Sequence, residues 1–488
     1  MTLGLRLDEA VWGLLHETLE LYRDNRRATG HLRHHLGRLE APLRIAVAGP
    51  WQSGKSTVLN AIMGEEVAPV EVEDGSQVFT WFEDGPEPRA TAYSSVSPPQ
   101  ELTVTKSVTG MRVDLVGWRS GEVNDIVVQW PTRALRQATL IDTPALVADA
   151  GGRSPVMARV LEDADAVLYL TRDGRGSDLR FLESVRDSAV GRAAPVNVVM
   201  VLSRADEIGG GRIDALLTAR QLARRHRRDP RVDALCVNVV AVGGLVALGG
   251  RLLSESEYAA LAALAAVPRP ELEVFLLSAD RFRAGELPVR IDGETRGALL
   301  DRLGLFGVRL ATTLVRTGCD SRAKLSAELM RRSGLTELRE AIARSFLDRR
   351  EVLKARSVLA GIESLLRTER RPGSAELLAR VEQILVGAHD FRELRLLPTL
   401  ADGQLGFDAD VAAEAHRLIG GNGIGLAARL GVEHEATAAR LWEVAGDALW
   451  RWQERAEDPL LRLDQRRAAR VVVRSCEGVL AEIAEGGR

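Results

Sequence analysis

From residue 43 the chain sets short apolar runs between polar stretches with helical spacing. The runs are Leu43–Ala48, Ala138–Ile141, Ala166–Leu170, Val196–Leu202 and Leu235–Val242. Buried strands alternating with helices predict a mostly parallel sheet with helices on both faces. Before this region, residues 8–39 read as helix. Val11, Leu14, Leu15, Leu19 and Tyr22 share a face, followed by Leu32, Leu36 and Leu39. After Gly250 the strand signals stop. Leu329 to Phe346 reads as a helix interrupted at Ser333-Gly334, and Val352 to Leu366 as another. Arg371-Pro372-Gly373-Ser374 supplies a stop and a new N-cap. Two further amphipathic helices follow. One carries Leu441, Ala445, Ala448, Leu449 and Trp452, the other Val472, Cys476, Val479 and Ile483. The expected fold is an α/β domain plus an all-α bundle built from both chain ends.

Composition narrows this picture. A chain of 488 residues suits two or three domains. Hydrophobic residues at 45% and charged residues at 27% fit a globular protein. A net charge of −3 argues against a general nucleic-acid binder. Cys236, Cys319 and Cys476 are widely spaced and form neither a disulfide framework nor a zinc pattern, so a reducing cytoplasm is expected. The first residues lack the order of a secretory signal, so export is not expected. The stretch 234–250 carries no charge. It is shorter than the ~20 apolar residues of a membrane span, and its glycines predict a strand, a turn and a helix start.

Lys55, Lys106, Lys324 and Lys354 are the only lysines among 65 basic residues; arginine fills every other basic position. A lysine inside a glycine-rich turn therefore reads as a chemical requirement. That turn is Gly49-Pro-Trp-Gln52-Ser53-Gly54-Lys55-Ser56-Thr57, between the run Leu43–Ala48 and a helical segment. The strand–loop–helix setting with this spacing is a phosphate-binding P-loop. Its glycines let successive N–H groups face phosphate oxygens, and the helix N-terminus adds positive potential. Lys55 is expected on the β- and γ-phosphates and the Ser56 hydroxyl on Mg²⁺. Asp142 ends an apolar run where a Mg²⁺-linked carboxylate belongs.

Guanine specificity is read from Ser203-Arg204-Ala205-Asp206, which follows the run Val196–Leu202. Asp206 accepts both hydrogens of guanine N1 and N2, a donor pair that adenine lacks. Alone it would read as a helix cap; the order of three segments raises it to a base ligand. The Arg204 stem would cover the base. The turn at Gly243-Gly244 would present a backbone N–H to the guanine oxygen. The expected ligands are GTP or GDP with Mg²⁺.

Ser56 to Gly64 followed by Val67-Ala68-Pro69 resembles bacterial dynamin-like GTPases. Residues 203–214, 276–282, 303–309 and 332–335 resemble the isoniazid-inducible dynamin-like proteins of mycobacteria over the whole chain. The resemblance implies GTP hydrolysis, self-assembly and membrane remodelling. It implies a GTPase domain at 41–350, with 1–40 and 351–488 forming a stalk. It places Ser76, or Gly75, where the family has its switch threonine, making Ser76 a second Mg²⁺ ligand. Several positions depart from the family. Asp-x-Pro-Gly reads Asp142-Thr-Pro-Ala145, which puts switching at that turn in doubt; Leu146 leaves no glutamine there to orient water. Thr/Asn-Lys reads Ser203-Arg204. Gln52 stands where eukaryotic dynamins use Ser near a charge-compensating ion.

Other clusters have plainer readings. His31, His34 and His35 read as solvated helix surface rather than a metal site. Arg220, Arg224, Arg225, Arg227 and Arg228 read as a solvated face, with anionic lipid or an acidic partner as the alternative. Leu418 to Leu426 reads as hairpin packing or as a membrane-touching stalk tip. The resulting expectation is a dynamin-like GTPase acting peripherally at the inner face of the cell membrane. It would assemble with itself or with a paired dynamin-like protein. The alternatives are a weakly hydrolysing scaffold subunit for such a partner, which Ala145 and Leu146 favour, and an RNA-linked GTPase, which the charge opposes.

Overall fold

The computed structural model describes residues 7–68, 78–94, 97–107, 110–113, 122–147, 154–174, 177–183, 197–233, 235–401, 403 and 405–486. The strands are β1 Leu43–Ala48, β2 Phe79–Asp84, β3 Arg89–Tyr93, β4 Gln100–Leu102, β5 Val104–Ser107, β6 Gly110–Val113, β7 Asp125–Trp130, β8 Ala138–Asp142, β9 Ala166–Thr171, β10 Val198–Leu202 and β11 Asn238–Ala241. One nine-stranded sheet runs in the order β11-β10-β9-β1-β8-β2-β7-β3-β4, and β5 and β6 form a separate hairpin. From β11 to β8 every pairing is parallel. These strands are the five apolar runs of the sequence.

Beyond β8 the sheet continues with β2, which runs antiparallel to β8, and then with β7, β3 and β4. The apolar runs do not predict these strands. In β7 only alternate residues, Ile126, Val128 and Trp130, are buried, and the inward residues of β3 are Ala90 and Ala92. Such half-buried strands carry no continuous apolar run.

Both faces of the sheet are covered. Leu43, Ile45 and Val47 of β1 join one core, with Val58, Leu59, Leu338, Phe346 and apolar residues of the helices Leu7–Leu21, Arg26–Glu40, Arg350–Thr368 and Ser374–Gly387. Ala46 and Ala48 join the other, with the helices Pro155–Asp163, Ala215–Arg227, Glu255–Ala266 and Gly293–Arg316. The N-terminal helices thus pack on the helices that follow residue 349, so both ends of the chain contribute to the all-α part. Beyond Gly387 the helices His389–Ala401, Ala409–Leu418, Ala438–Glu457 and Leu463–Gly486 build a further apolar core around Trp452, Val472 and Cys476. No helix among the described residues is long and apolar enough to cross a membrane.

Local chemistry explains two boundaries. The helical stretch 8–39 is two helices, because Asn25 accepts the N–H groups of Arg27 and Ala28, both at 3.1 Å, and starts a new helix. The interruption at Ser333-Gly334 has a steric cause. Gly334 has φ of 85°, and a Cβ there would lie 2.0 Å from the Ala241 carbonyl oxygen. Only glycine lets this turn dock on the end of β11.

Three surface readings gain detail. His35 is buried, 1% exposed, because its ring packs against the backbone of Gly361; the helix face is solvated only at His34. No group of three metal-ligating side chains is assembled among the described residues. In the basic cluster, Arg224, Arg225 and Arg228 are exposed, while Arg220 binds the carbonyls of Arg331 and Arg332 and Arg227 that of Val239. The loop after Leu418 is packed at its start and exposed at its end, where Ile424 is 42% exposed. Leu418 and Ile419 are each 1% exposed, and the Gly420 carbonyl accepts Arg349 Nη2 at 2.6 Å. That bond holds the loop at the start of Arg350–Thr368. A more exposed apolar turn lies between the last two helices, where Leu460 is 91% and Leu463 is 53% exposed.

Burial holds the His35 pKa down to about 2 from 6.5, with Arg38 and His31 adding repulsion. Below 6.5 the unfolded chain therefore binds a proton that the folded chain refuses. Stability is full above that value and falls as pH drops, by at most about 1.4 kcal/mol per pH unit. Urea denaturation between about pH 7.5 and about pH 5.5 should show this loss, and His35→Phe should flatten it. Equal slopes in both proteins would exclude His35 as the source.

Candidate nucleotide site

β1 lies between β8 and β9 and ends at Ala48, so its following turn opens at the C-terminal edge of parallel strands, where α/β sheets bind ligands. Gly49 is sterically required: a Cβ would lie 2.4 Å from the Leu170 carbonyl oxygen. The loop then passes through left-handed conformations at Gln52, φ 56°, and Gly54, φ 81°. Helix Lys55–Met63 begins at once, and its first N–H groups have no intrahelical partner. Ser53 is fully buried with an unpartnered hydroxyl, and Thr57 packs where a Cβ on Gly244 would touch it.

Lys55 Nζ curls back to the carbonyls of Gly49 and Pro50, both at 3.3 Å. Burial lowers its pKa, and Asp142 pulls it back up. Ser56 Oγ donates to Asp142 Oδ2 at 2.9 Å, while Asp142 Oδ1 is buried without a hydrogen-bond partner. Burial pushes the Asp142 carboxyl up to about 6, against the Ser56 hydrogen bond and the Lys55 charge. Two hard oxygen donors side by side, one carboxylate oxygen orphaned, suit a Mg²⁺ ion that keeps several waters. Ser56 and Asp142 would hold it. Ser76 lies outside the described residues.

After Asp142, Thr143 Oγ1 donates to the Val47 carbonyl at 3.0 Å and the Leu146 N–H to the Gly49 carbonyl at 3.0 Å. Leu146 is buried in the second core. Gln52 and Arg204 are the non-glycine residues with positive φ among the described residues, so Ala145 needs no glycine-like backbone here. The Leu146 backbone N–H staples the end of this turn to the phosphate loop, while the Leu146 side chain is buried.

On the neighbouring edge, Ser203 donates from both N–H, 2.8 Å, and Oγ, 3.1 Å, to the Thr171 carbonyl. Arg204 takes φ of 49° and pairs with Glu207 at 2.6 Å. Asp206 is 7% exposed, and burial raises its pKa. Gly243 stands beside it: a Cβ there would lie 3.5 Å from Asp206 Oδ1. One expectation changes. The Gly243 N–H already donates to the Ser333 carbonyl at 2.9 Å, so it is not offered to a base. Gly244, the first residue of helix Gly244–Leu252, carries an N–H that helix geometry leaves without an internal partner. Ser333 and Gly334 thus shape the site from a distant segment. Arg172 also reaches it, donating to the Gln52 carbonyl at 3.4 Å. No local motif marks that arginine.

Comparison with known proteins agrees with this geometry. The sequence model of the dynamin family matches residues 45–192. The isoniazid-induced protein IniC of Mycobacterium tuberculosis is 36% identical over 486 residues, covering 97% of this chain and 98% of that protein. A bacterial dynamin-like protein of Nostoc punctiforme is 27% identical over 155 residues, 29% of this chain and 22% of its own length. Among solved structures, one described as an oligomerised bacterial dynamin pair covers 98% of this chain and 74% of its own, at 15% identity and a TM-score of 0.32.

Gly49→Ala tests the loop geometry. The added methyl cannot fit against the Leu170 carbonyl, so the loop must shift and its N–H groups lose their aim. Affinity for a fluorescent GTP analogue should fall about tenfold or more, with little change in far-UV circular dichroism. Undiminished affinity would contradict the assigned cradle.

Proposed function

The chain belongs to the dynamin family, and from that premise we propose that it binds guanine nucleotide with Mg²⁺ and hydrolyses GTP. One observation carries the reading. The Ser56–Asp142 pair lies under the Lys55 loop, on the same sheet edge as the buried carboxylate of Asp206. Backbone N–H groups at Gln52, Gly54 and Thr57 would hold the phosphates, with the Ser53 N–H leaving the Pro50 carbonyl and Lys55 leaving its carbonyl partners for the β- and γ-oxygens. Bound Mg²⁺ would neutralise phosphate charge and screen Asp142. Asp206 would face guanine N1 and N2, Arg204 would cover the ring, and the Ser203 turn would hold both in place. The catalytic set is Lys55, Ser56 and Asp142, with Ser76 from the resemblance.

The buried Leu146 favours slow turnover by a single chain, because no side chain at that position can orient water. It also supports a second reading, a weakly hydrolysing scaffold subunit. Assembly with a second copy or a paired dynamin-like protein would complete the site. Within this proposal, residues 41–350 are the GTPase domain and 1–40 with 351–488 the stalk.

Membrane remodelling from the inner face of the cell membrane is the proposed setting, through peripheral contact. The lipid-facing element is the turn 458–463, not 418–426. Leu460 and Leu463 are exposed there, with exposed Arg467 nearby in sequence and Arg462 paired with Asp464 at 3.0 Å. Exposed apolar side chains with a nearby cation suit an anionic headgroup boundary.

Two measurements test this. Asp206→Asn sets a donor against guanine and should weaken GTP binding by about 2–3 kcal/mol. Equal affinity of the parent for GTP and ATP would refute the base assignment. In vesicle co-sedimentation with anionic lipid, Leu460→Asp with Leu463→Asp should abolish binding and leave the melting temperature unchanged. Retained sedimentation would exclude the tip.

A further inference from the structure

We infer that Arg172 is the second cation of the phosphate site and a determinant of turnover; this rests on the GTPase reading above. Its backbone is rigidly placed. Thr171, fully buried, accepts the Gly174 N–H on Oγ1 at 3.0 Å, while its carbonyl accepts both Ser203 donors. The preceding Leu170 carbonyl is the oxygen that excludes a side chain at Gly49. Arg172 therefore emerges from a fixed point between the phosphate loop and the base turn.

From there its guanidinium reaches the far end of the loop. Lys55 holds the first two loop carbonyls, Gly49 and Pro50; Arg172 Nη2 holds that of Gln52. Gln52 is a non-glycine residue in the left-handed region, so its peptide orientation is strained and needs support. A guanidinium has five N–H donors, and the bond to Gln52 uses one. Unlike Arg38, which is buried in an ion pair, Arg172 is exposed and open to an arriving phosphate. Arg204, the neighbouring arginine, is paired with Glu207.

The chemistry needs such a group. Water attack on the γ-phosphorus forms one P–O bond and breaks the bond to the β-phosphate oxygen. That oxygen leaves with the electron pair, and the proton of the water passes to phosphate. Charge grows on the leaving oxygen, and a cation fixed beside the loop stabilises it more than the ground state. Arg172 supplies this charge within one chain, whereas Leu146 supplies nothing toward the water.

The test compares the parent, Arg172→Ala and Arg172→Lys in steady-state GTP hydrolysis and in GDP affinity. Each is measured in K⁺ and in a bulky organic cation at equal ionic strength. Arg172→Ala should lower kcat about 10²-fold, with KM and GDP affinity changed by less than about threefold. Arg172→Lys should recover part of kcat. K⁺ should raise the rate of Arg172→Ala and leave the parent unaffected. Unchanged kcat in Arg172→Ala overturns the inference. So does a loss of kcat matched by a loss of GDP affinity, without recovery by lysine or K⁺, since Arg172 would then only hold the loop. A parent that binds guanine nucleotide without turning it over also overturns it and leaves the scaffold reading. A parent that binds no guanine nucleotide overturns the functional reading itself.

Discussion

One buried carboxylate organises the junction on which the nucleotide site and the helical part both depend. Asp165, 1% exposed, precedes β9. One of its oxygens takes Arg38 Nη2 at 2.7 Å, and the other takes the backbone N–H of Arg44, at the head of β1, at 3.0 Å. Arg38 also donates to the Glu162 carbonyl at 2.6 Å, in the last turn of the helix that follows the Asp142 turn. Arg356 of Arg350–Thr368 lies in the same field: burial lowers its pKa to about 10, and Asp165 opposes that shift. Removing one partner of a buried pair costs about 3–5 kcal/mol, because the other is left charged and dry. The strand that leads to the phosphate loop, the helix behind Asp142 and the helices of both chain ends therefore share one electrostatic anchor. The continuous apolar core on that side of the sheet gives the same result by packing.

That arrangement bears on how nucleotide state would reach the helices. The Asp142–Leu146 turn is stapled to the phosphate loop through Gly49, and the helix Pro155–Asp163 is tied by Arg38 to Arg26–Glu40. A displacement at Asp142 would thus meet a stiff path into the N-terminal helices. The helices from His389 onward have their own apolar core. They meet the rest through the Arg349–Gly420 hydrogen bond and through Phe391 and Leu394 of His389–Ala401, which are buried in the first core.

Much of this was legible because it is local. The five apolar runs, the phosphate loop and the glycine break at Ser333-Gly334 follow from periodicity, from glycine's access to positive φ and from helix capping. The same rules failed where burial is partial. β7 and β3 present alternate residues to the core, and the tight cap at Asn25 splits a helix whose apolar face runs on past it.

By itself the sequence determined the parallel half of the sheet, the loop that precedes Lys55, the placing of Asp142 and Asp206 at strand ends, and the helical ends of the chain. Each depends on residues within a few positions of one another. Tertiary structure alone decided that the Gly243 N–H is taken by Ser333, that His35 lies under Gly361 and that Ile419 is core while Leu460 is exposed. It also brought Arg172 to Gln52 across 120 positions of chain. Such outcomes depend on which distant backbone arrives to fill a donor or cover a side chain, and no local pattern encodes that arrival.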